Sequence, residues 1–277
     1  MNRKPGIRSI IIHLDKDGDA EEAGRMAEKL QAVLTVDPAW QEKLPHMPGK
    51  YKYRTLTEIR PDAEHLILRF HPGGLSLMGD GLEMQGDLSH MIPRLKKNNL
   101  SGEFLVKASR LKNPGEDPVA IDATAGMGED SLLLAAAGYR VYLYEINPVI
   151  AALLRDSLQR ASLVSELKEP VSRMHVREGN SIGALSGPDW KTHPPDLVLL
   201  DPMFPERKKS GLIKKKFQLL QKLERPCSDE EELLMAAWQA KPRRIVVKRP
   251  LKGPYLAGRK PDYSMPGKAI RYDCYIL

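Results

Sequence analysis

Four aliphatic residues stand in an unbroken row between two acids at positions 196–201, DLVLLD. A strand with one wet face alternates apolar and polar side chains, so a continuous run this short and this sharply bounded reads as a strand covered on both faces. Such a strand needs helices above and below it, which restricts the surrounding chain to βαβ units. From about residue 118 the sequence has that rhythm. Residues 119–122 (VAID) form a short apolar run ending in an acid, and 130–137 (DSLLLAAA) read as a helix stopped by Gly138. Residues 140–145 (RVYLYE) are rich in β-formers. Asn147 suits a helix N-cap and Pro148 the first helical position, where no N–H is missed, ahead of helical apolar spacing through 149–161. Strands are also expected at 174–178, 244–248 and 270–277, and a helix at 230–240. The expected fold class is α/β, with a doubly wound, mostly parallel sheet.

The first hundred residues lack this alternation. A strand at 8–14, an amphipathic helix at 20–34 and short strands within 64–70 and 75–84, with glycine turns between them, read as a small N-terminal α+β domain over 1–94. The α/β domain then covers 95–277, entered through a helix at 101–112 and a loop at 113–117. No uncharged apolar run approaches the roughly 20 residues that span a bilayer. The N-terminal apolar stretch is broken by His13 and Asp15, so it reads as a strand and not as a signal peptide. Two cysteines, Cys227 and Cys274, make neither a disulfide framework nor a zinc cluster, and the histidines lack ligand spacing. A cytoplasmic protein without membrane contact or metal is expected.

The net charge of +7 is concentrated at one end. Residues 1–200 hold 25 Lys and Arg against 27 Asp and Glu, whereas 201–277 hold 18 against 9. The densest part is RKKSGLIKKK, in which Arg207, Lys208, Lys209, Lys214, Lys215 and Lys216 stand with no acid among them. That pattern suits a polyanionic partner, with a solvated basic helix face as the plainer reading.

Chemistry-bearing residues gather at the strand ends. DATAGMGED, 122–130, lies between a strand and a helix. Gly126 and Gly128 let the backbone turn tightly and approach a ligand, while the helix that follows offers unpaired N–H groups. It half-matches the dinucleotide fingerprint, with Ser131 in place of the third glycine. Glu145 ends the next strand, where an acid can accept both hydroxyls of a ribose. The strand at 196–201 runs into Asp201-Pro202-Met203-Phe204-Pro205, an acid, two prolines and an aromatic at the carboxyl edge of the sheet. This resembles S-adenosylmethionine-dependent methyltransferases of amino nitrogens, whose motif at this strand end is Asp/Asn-Pro-Pro-aromatic; Met203 stands in place of the second proline. The resemblance implies that Asp201 and the Pro202 carbonyl grip the N–H groups of the target and that Phe204 stacks on its base.

DATAGMGED, YEINPVIAALLRDSL, DPMFPERKKSGLIKKK and RIVVKRP, in that order, resemble the RsmJ family of small-subunit ribosomal RNA guanine-N2 methyltransferases. The similarity is dense from about residue 95 to the C-terminus and thin before 66. It implies a class I, Rossmann-like methyltransferase domain that uses S-adenosylmethionine, with S-adenosylhomocysteine as product and small-subunit ribosomal RNA or a ribosomal particle as partner. By position it assigns Glu129 and Asp130 to the cofactor, beside Asp122 and the two glycines. Glu145 and Ile146 match the pair at the second strand end, Asn180 and Ser181 the pair beside adenine, and Asp201 the acid next to methyl donor and target. The crevice and the ribose acid follow from the residues; the amino-group grip and the particular RNA follow from the resemblance. An amino-nitrogen methyltransferase for tRNA, DNA or protein, an NAD-dependent oxidoreductase and a catalytically silent RNA-binding module are the alternatives.

Overall fold

The structure, a computed structural model, describes residues 9–37, 53–55, 65–202, 215–223 and 229–277. The chain divides into two compact units, one formed by 1–86 with 207–225, the other by 87–206 with 226–277.

In the first unit the elements are β1 (Ser9–Leu14), α1 (Ala20–Leu30), β2 (Val33–Val36), β3 (Tyr53–Thr55), β4 (His65–His71), β5 (Gly74–Gly79) and β6 (Leu82–Gln85). The strands pair in the order β3-β2-β1-β4-β5-β6, parallel from β3 to β4 and antiparallel from β4 to β6. Helix α1 stops four residues before the expected end at 34. Gln31 turns into the left-handed region (φ 51°) and caps it, and the aliphatic and β-branched run VLTV pairs with β1 as β2 instead.

The second unit holds three short helices, α2 (Ile92–Leu95), α3 (Lys97–Leu100) and α4 (Phe104–Ser109), then β7 (Val119–Asp122), α5 (Glu129–Ala136), β8 (Arg140–Glu145), α6 (Pro148–Ala161), α7 (Ser165–Ser172), β9 (Met174–Glu178), α8 (Ser181–Leu185), α9 (Pro188–Thr192) and β10 (Leu197–Leu200). The chain next forms α10 (Lys215–Leu223), which belongs to the first unit, and returns for α11 (Glu230–Gln239), β11 (Arg244–Pro250), β12 (Tyr263–Pro266) and β13 (Ile270–Ile276).

Its strand order is β12-β13-β11-β10-β7-β8-β9. The five strands from β11 to β9 are mutually parallel, and β13 runs antiparallel between β11 and β12. This is a doubly wound, Rossmann-like sheet. Strands β8 and β9 step outward from β7 in one direction and β11 steps outward from β10 in the other, so the carboxyl ends of β7 and β10 flank the crevice where such sheets bind ligands. Every residue of β10 is buried. Leu197 and Leu199 join the core that contains Leu132, Leu154 and Leu167 of α5–α7, while Val198 and Leu200 join Leu185, Leu233 and Ala237 of α8 and α11. The strand is covered on both faces, as its composition requires.

The unit boundary falls at Gly86, eight residues before the expected 94, and 207–225 leave the α/β unit to which they were assigned. Leu88 and Met91 are buried with Leu105 in the core of the parallel sheet, which draws 87–94 into that unit. In the first unit, α10 packs on β5 and β6 through buried Leu219 and Leu220. The helix expected over 101–112 is confined to α4.

Candidate active site

Strand β7 delivers Asp122 to the crevice, where it is buried. Its Oδ2 accepts a 2.6 Å hydrogen bond from the Ser131 hydroxyl, and its Oδ1 one of 3.1 Å from the Thr124 N–H. Burial pushes this carboxyl up to about 7, against the two hydrogen bonds and with the help of nearby Asp130 and Asp201. Ser131 is therefore more than a missing third glycine: the place that a dinucleotide fingerprint uses for close helix–strand packing holds a hydroxyl that satisfies a buried acid. Gly126 and Gly128 both lie in the left-handed region, with φ 52° and 78°. At Gly128 a Cβ would also stand 2.8 Å from Leu154 Cδ1, so that leucine side chain would have to shift. Helix α5 begins directly after it, with Glu129 and Asp130 in the first turn, where acids complement the helix dipole. Glu129 pairs with His90 at 3.2 Å.

Strand β8 ends in Glu145, also buried. One carboxylate oxygen accepts from the Gly126 N–H at 3.0 Å and the other from the Asn147 N–H at 2.7 Å, so the acid is tied to the glycine turn. Burial pushes its pKa up, and these backbone donors hold it down. The neighbouring Ile146 is 67% exposed, an unusual setting for a large aliphatic beside a buried acid. Asn147 caps α6, accepting from the N–H groups of Val149 and Ile150. After β9 the Gly179 N–H donates to the Glu145 carbonyl at 2.9 Å. Asn180 caps α8 by accepting from the Ile182 N–H, and Ser181 is buried.

Asp201 follows β10, and its N–H donates to Thr124 Oγ1 at 2.7 Å, which joins this strand end to the glycine turn. Its side chain is 38% exposed, and Lys248 Nζ, from the second half of β11, lies 2.8 Å from its Oδ2 and 2.7 Å from Asp130 Oδ2. The protein surroundings push the Asp201 carboxyl up, the lysine pulls it down and Asp130 adds to the upward shift. Burial disfavours the Lys248 ammonium, but Asp201 and Asp130 outweigh it and hold the amine protonated well above its ordinary range. Pro202 is buried.

The structure thus brings Asp122, Gly126, Gly128, Glu129, Asp130, Glu145, Ile146, Asn180, Ser181, Asp201 and Pro202 to one edge of one sheet. Phe204, Arg207, Lys208, Lys209 and Lys214 lie outside the described residues, and Lys215 and Lys216 open α10 in the first unit. Sequence reasoning missed the structural parts played by Thr124 and Ser131. Lys248, with Arg249 and Pro250, is legible in the sequence as a basic group suited to phosphate or a cofactor carboxylate, or merely solvated; its contact with Asp130 and Asp201 is not. Chemically, several carboxylates around one lysine suit a cationic ligand that also carries vicinal hydroxyls. Among the described residues no cluster of His, Cys, Asp or Glu is placed to hold a metal, and no helix is long and apolar enough to cross a membrane.

Comparison with known proteins agrees with this geometry. Residues 81–277 match the sequence model of a family described as "Putative SAM-dependent methyltransferase". The ribosomal RNA small subunit methyltransferase J of Pseudomonas fluorescens is 37% identical over 275 residues, covering 99% of this chain and 97% of the relative. The protein of the same description from Pseudomonas aeruginosa is 43% identical over 256 residues, covering 92% and 90%. Among solved structures, a SAM-dependent methyltransferase from Neisseria gonorrhoeae superposes with a TM-score of 0.67 at 29% identity, over 96% of this chain and 95% of that one.

Proposed function

Since the chain belongs to the family of ribosomal RNA small subunit methyltransferase J, a family of S-adenosylmethionine-dependent enzymes, we propose that it methylates the exocyclic N2 of a guanine in small-subunit (16S) ribosomal RNA. The observation that carries this reading is Asp201, a partly exposed carboxylate at the crevice edge of β10, followed at once by Pro202 and fastened to the glycine turn through Thr124.

The residues present suit S-adenosylmethionine. Glu145 spends one lone pair of each oxygen on a backbone N–H and keeps others for the two ribose hydroxyls. Exposed Ile146, with Asn180 and Ser181, would flank the adenine. Asp122 braces the glycine turn through the Thr124 N–H, and Glu129 and Asp130 place negative charge on the side of that turn, favourable to a cationic cofactor. When bound, S-adenosylmethionine supplies an electrophilic methyl group on a sulfonium.

The chain's own residues then act on the target. The lone pair of a guanine amino group is delocalised into the ring, so the nitrogen is a weak nucleophile. Asp201 and the Pro202 carbonyl accept hydrogen bonds from its two N–H groups and favour a geometry in which the lone pair is available. Phe204 stacks on the base, and positioning contributes most of the rate. The basic segment from Arg207 to Lys216 takes the phosphates of the RNA. A ribosomal substrate puts the protein in the cytoplasm.

Mass spectrometry of ribosomal RNA from a strain lacking this protein tests the reading. One methylguanine should disappear, return with the wild-type chain and stay absent with Asp201→Ala. Full restoration by Asp201→Ala would move the chemistry away from β10, and an unchanged methylguanine content in the deletion strain would remove this RNA as the substrate.

A further inference from the structure

Lys248 stands on the strand next to β10, and its ammonium touches both halves of the crevice: Asp130 on the first turn of α5 at 2.7 Å and Asp201 past the end of β10 at 2.8 Å. The residues before it in β11, Ile245, Val246 and Val247, are aliphatic and fully buried, as packing alone would select. We infer that Lys248 is a positioning residue for methyl transfer, a clamp that fixes Asp201 at the crevice and keeps it an acceptor-only carboxylate toward the target amino group. The inference rests on the reading of Asp201 as that acceptor.

The chemical argument turns on proton count. An ionised carboxylate only accepts hydrogen bonds, whereas a protonated one presents an O–H donor to an amino group that is itself a donor. Asp122 on β7, Asp130 on α5 and Asp201 after β10 crowd one edge, and each of the latter two raises the pKa of a neighbouring acid. Without a cation, carboxylates so placed take up a proton between them. The other charged or titratable groups facing this cluster among the described residues are Arg249 on β11, Arg94 on α2 and Tyr272 on β13. Arg94 is engaged by Glu103 at 2.7 and 2.8 Å and Arg249 by Glu230 at 3.0 Å, while Tyr272 is a neutral phenol whose pKa burial pushes up. Among the described residues, Lys248 is the cation in contact with Asp130 and Asp201.

The test compares Lys248→Met and Lys248→Arg with the wild type, using methylation of small-subunit ribosomal RNA over about pH 5 to 9. kcat, KM for RNA and affinity for S-adenosylmethionine are measured separately. Lys248→Met should lower kcat at pH 7 about tenfold or more and move the acid limb of the kcat profile up by about one unit, so that activity recovers in alkali. Lys248→Arg keeps the cation and should return the limb and most of kcat. A folded Lys248→Met with wild-type kcat and limb overturns the inference, as does a loss that is independent of pH and not rescued by arginine. If Lys248→Met fails to fold, Lys248→Gln carries the same comparison. Asp201→Ala, run in parallel, separates the two levels: an inactive Asp201→Ala beside an unaffected Lys248 variant overturns only the clamp, and an active Asp201→Ala overturns the reading beneath it.

Discussion

Asp122 shows how a single side chain can work against the fold that holds it. Its carboxyl is buried and its pKa lies near 7, well above the ordinary 3.8, so the folded chain binds its proton more tightly than the unfolded chain does. Stability contributed by this group is complete below about pH 4, declines as pH rises toward 7 and is level beyond that. Asp122→Asn has no charge to desolvate and keeps an acceptor for the Thr124 N–H. The melting temperature of Asp122→Asn minus that of the wild type should therefore grow between about pH 4 and 7 and then hold constant. A difference that does not change with pH would show that Asp122 is ionised at no cost. The acid itself was legible in the sequence as the last residue of an apolar run. Its partner Ser131 was visible only as a departure from a glycine pattern, because a hydroxyl aimed at a buried acid leaves no periodic trace.

Among the elements, those with a strong local signal match expectation most closely. The strands at 119–122, 140–145 and 174–178 appear with the expected bounds. The Asn147-Pro148 pair starts α6 with its side-chain oxygen accepting from two backbone N–H groups. Replacing that cap should be measurable: Asn147→Ala should destabilise the protein by about 1 kcal/mol in a denaturant titration, while Asn147→Asp should stay near wild type because it caps and complements the dipole. Equal stability of the alanine and asparagine forms would mean that packing alone sets the helix start. Elements with a contradictory local signal were not legible. Helix α7 contains Pro170, a residue that reads as a helix stop, yet Leu167 and Val171 are buried by tertiary packing. Strand β12, YSMP, is too short to show a period and exists through its pairing with β13.

At the scale of the whole molecule, charge and connectivity diverge from the linear order. The basic segment begins six residues after Asp201, and 207–225 belong to the unit built on the N-terminal sheet, so the chain leaves the α/β unit soon after its crevice acid and comes back at 226. If Lys214, Lys215 and Lys216 neutralise RNA phosphates, replacing all three with Gln should weaken RNA binding and reduce the slope of log affinity against log salt by about two, at roughly 0.7 per contact for single strands. S-adenosylmethionine affinity should stay unchanged. Identical RNA affinity and slope in the triple variant would identify these lysines as a solvated face. What the sequence by itself determined is the parallel sheet and the acids that edge it. Run length, period and turn chemistry are short-range properties, and an acid closing an apolar strand lands at a sheet edge wherever the strand packs. Tertiary structure alone decided that β13 enters antiparallel between β11 and β12, that 87–94 join the α/β core and 207–225 the other unit, and that Lys248 meets Asp130 from 118 residues away. Those outcomes depend on which distant surfaces exclude water together, and no local pattern encodes a partner so far along the chain.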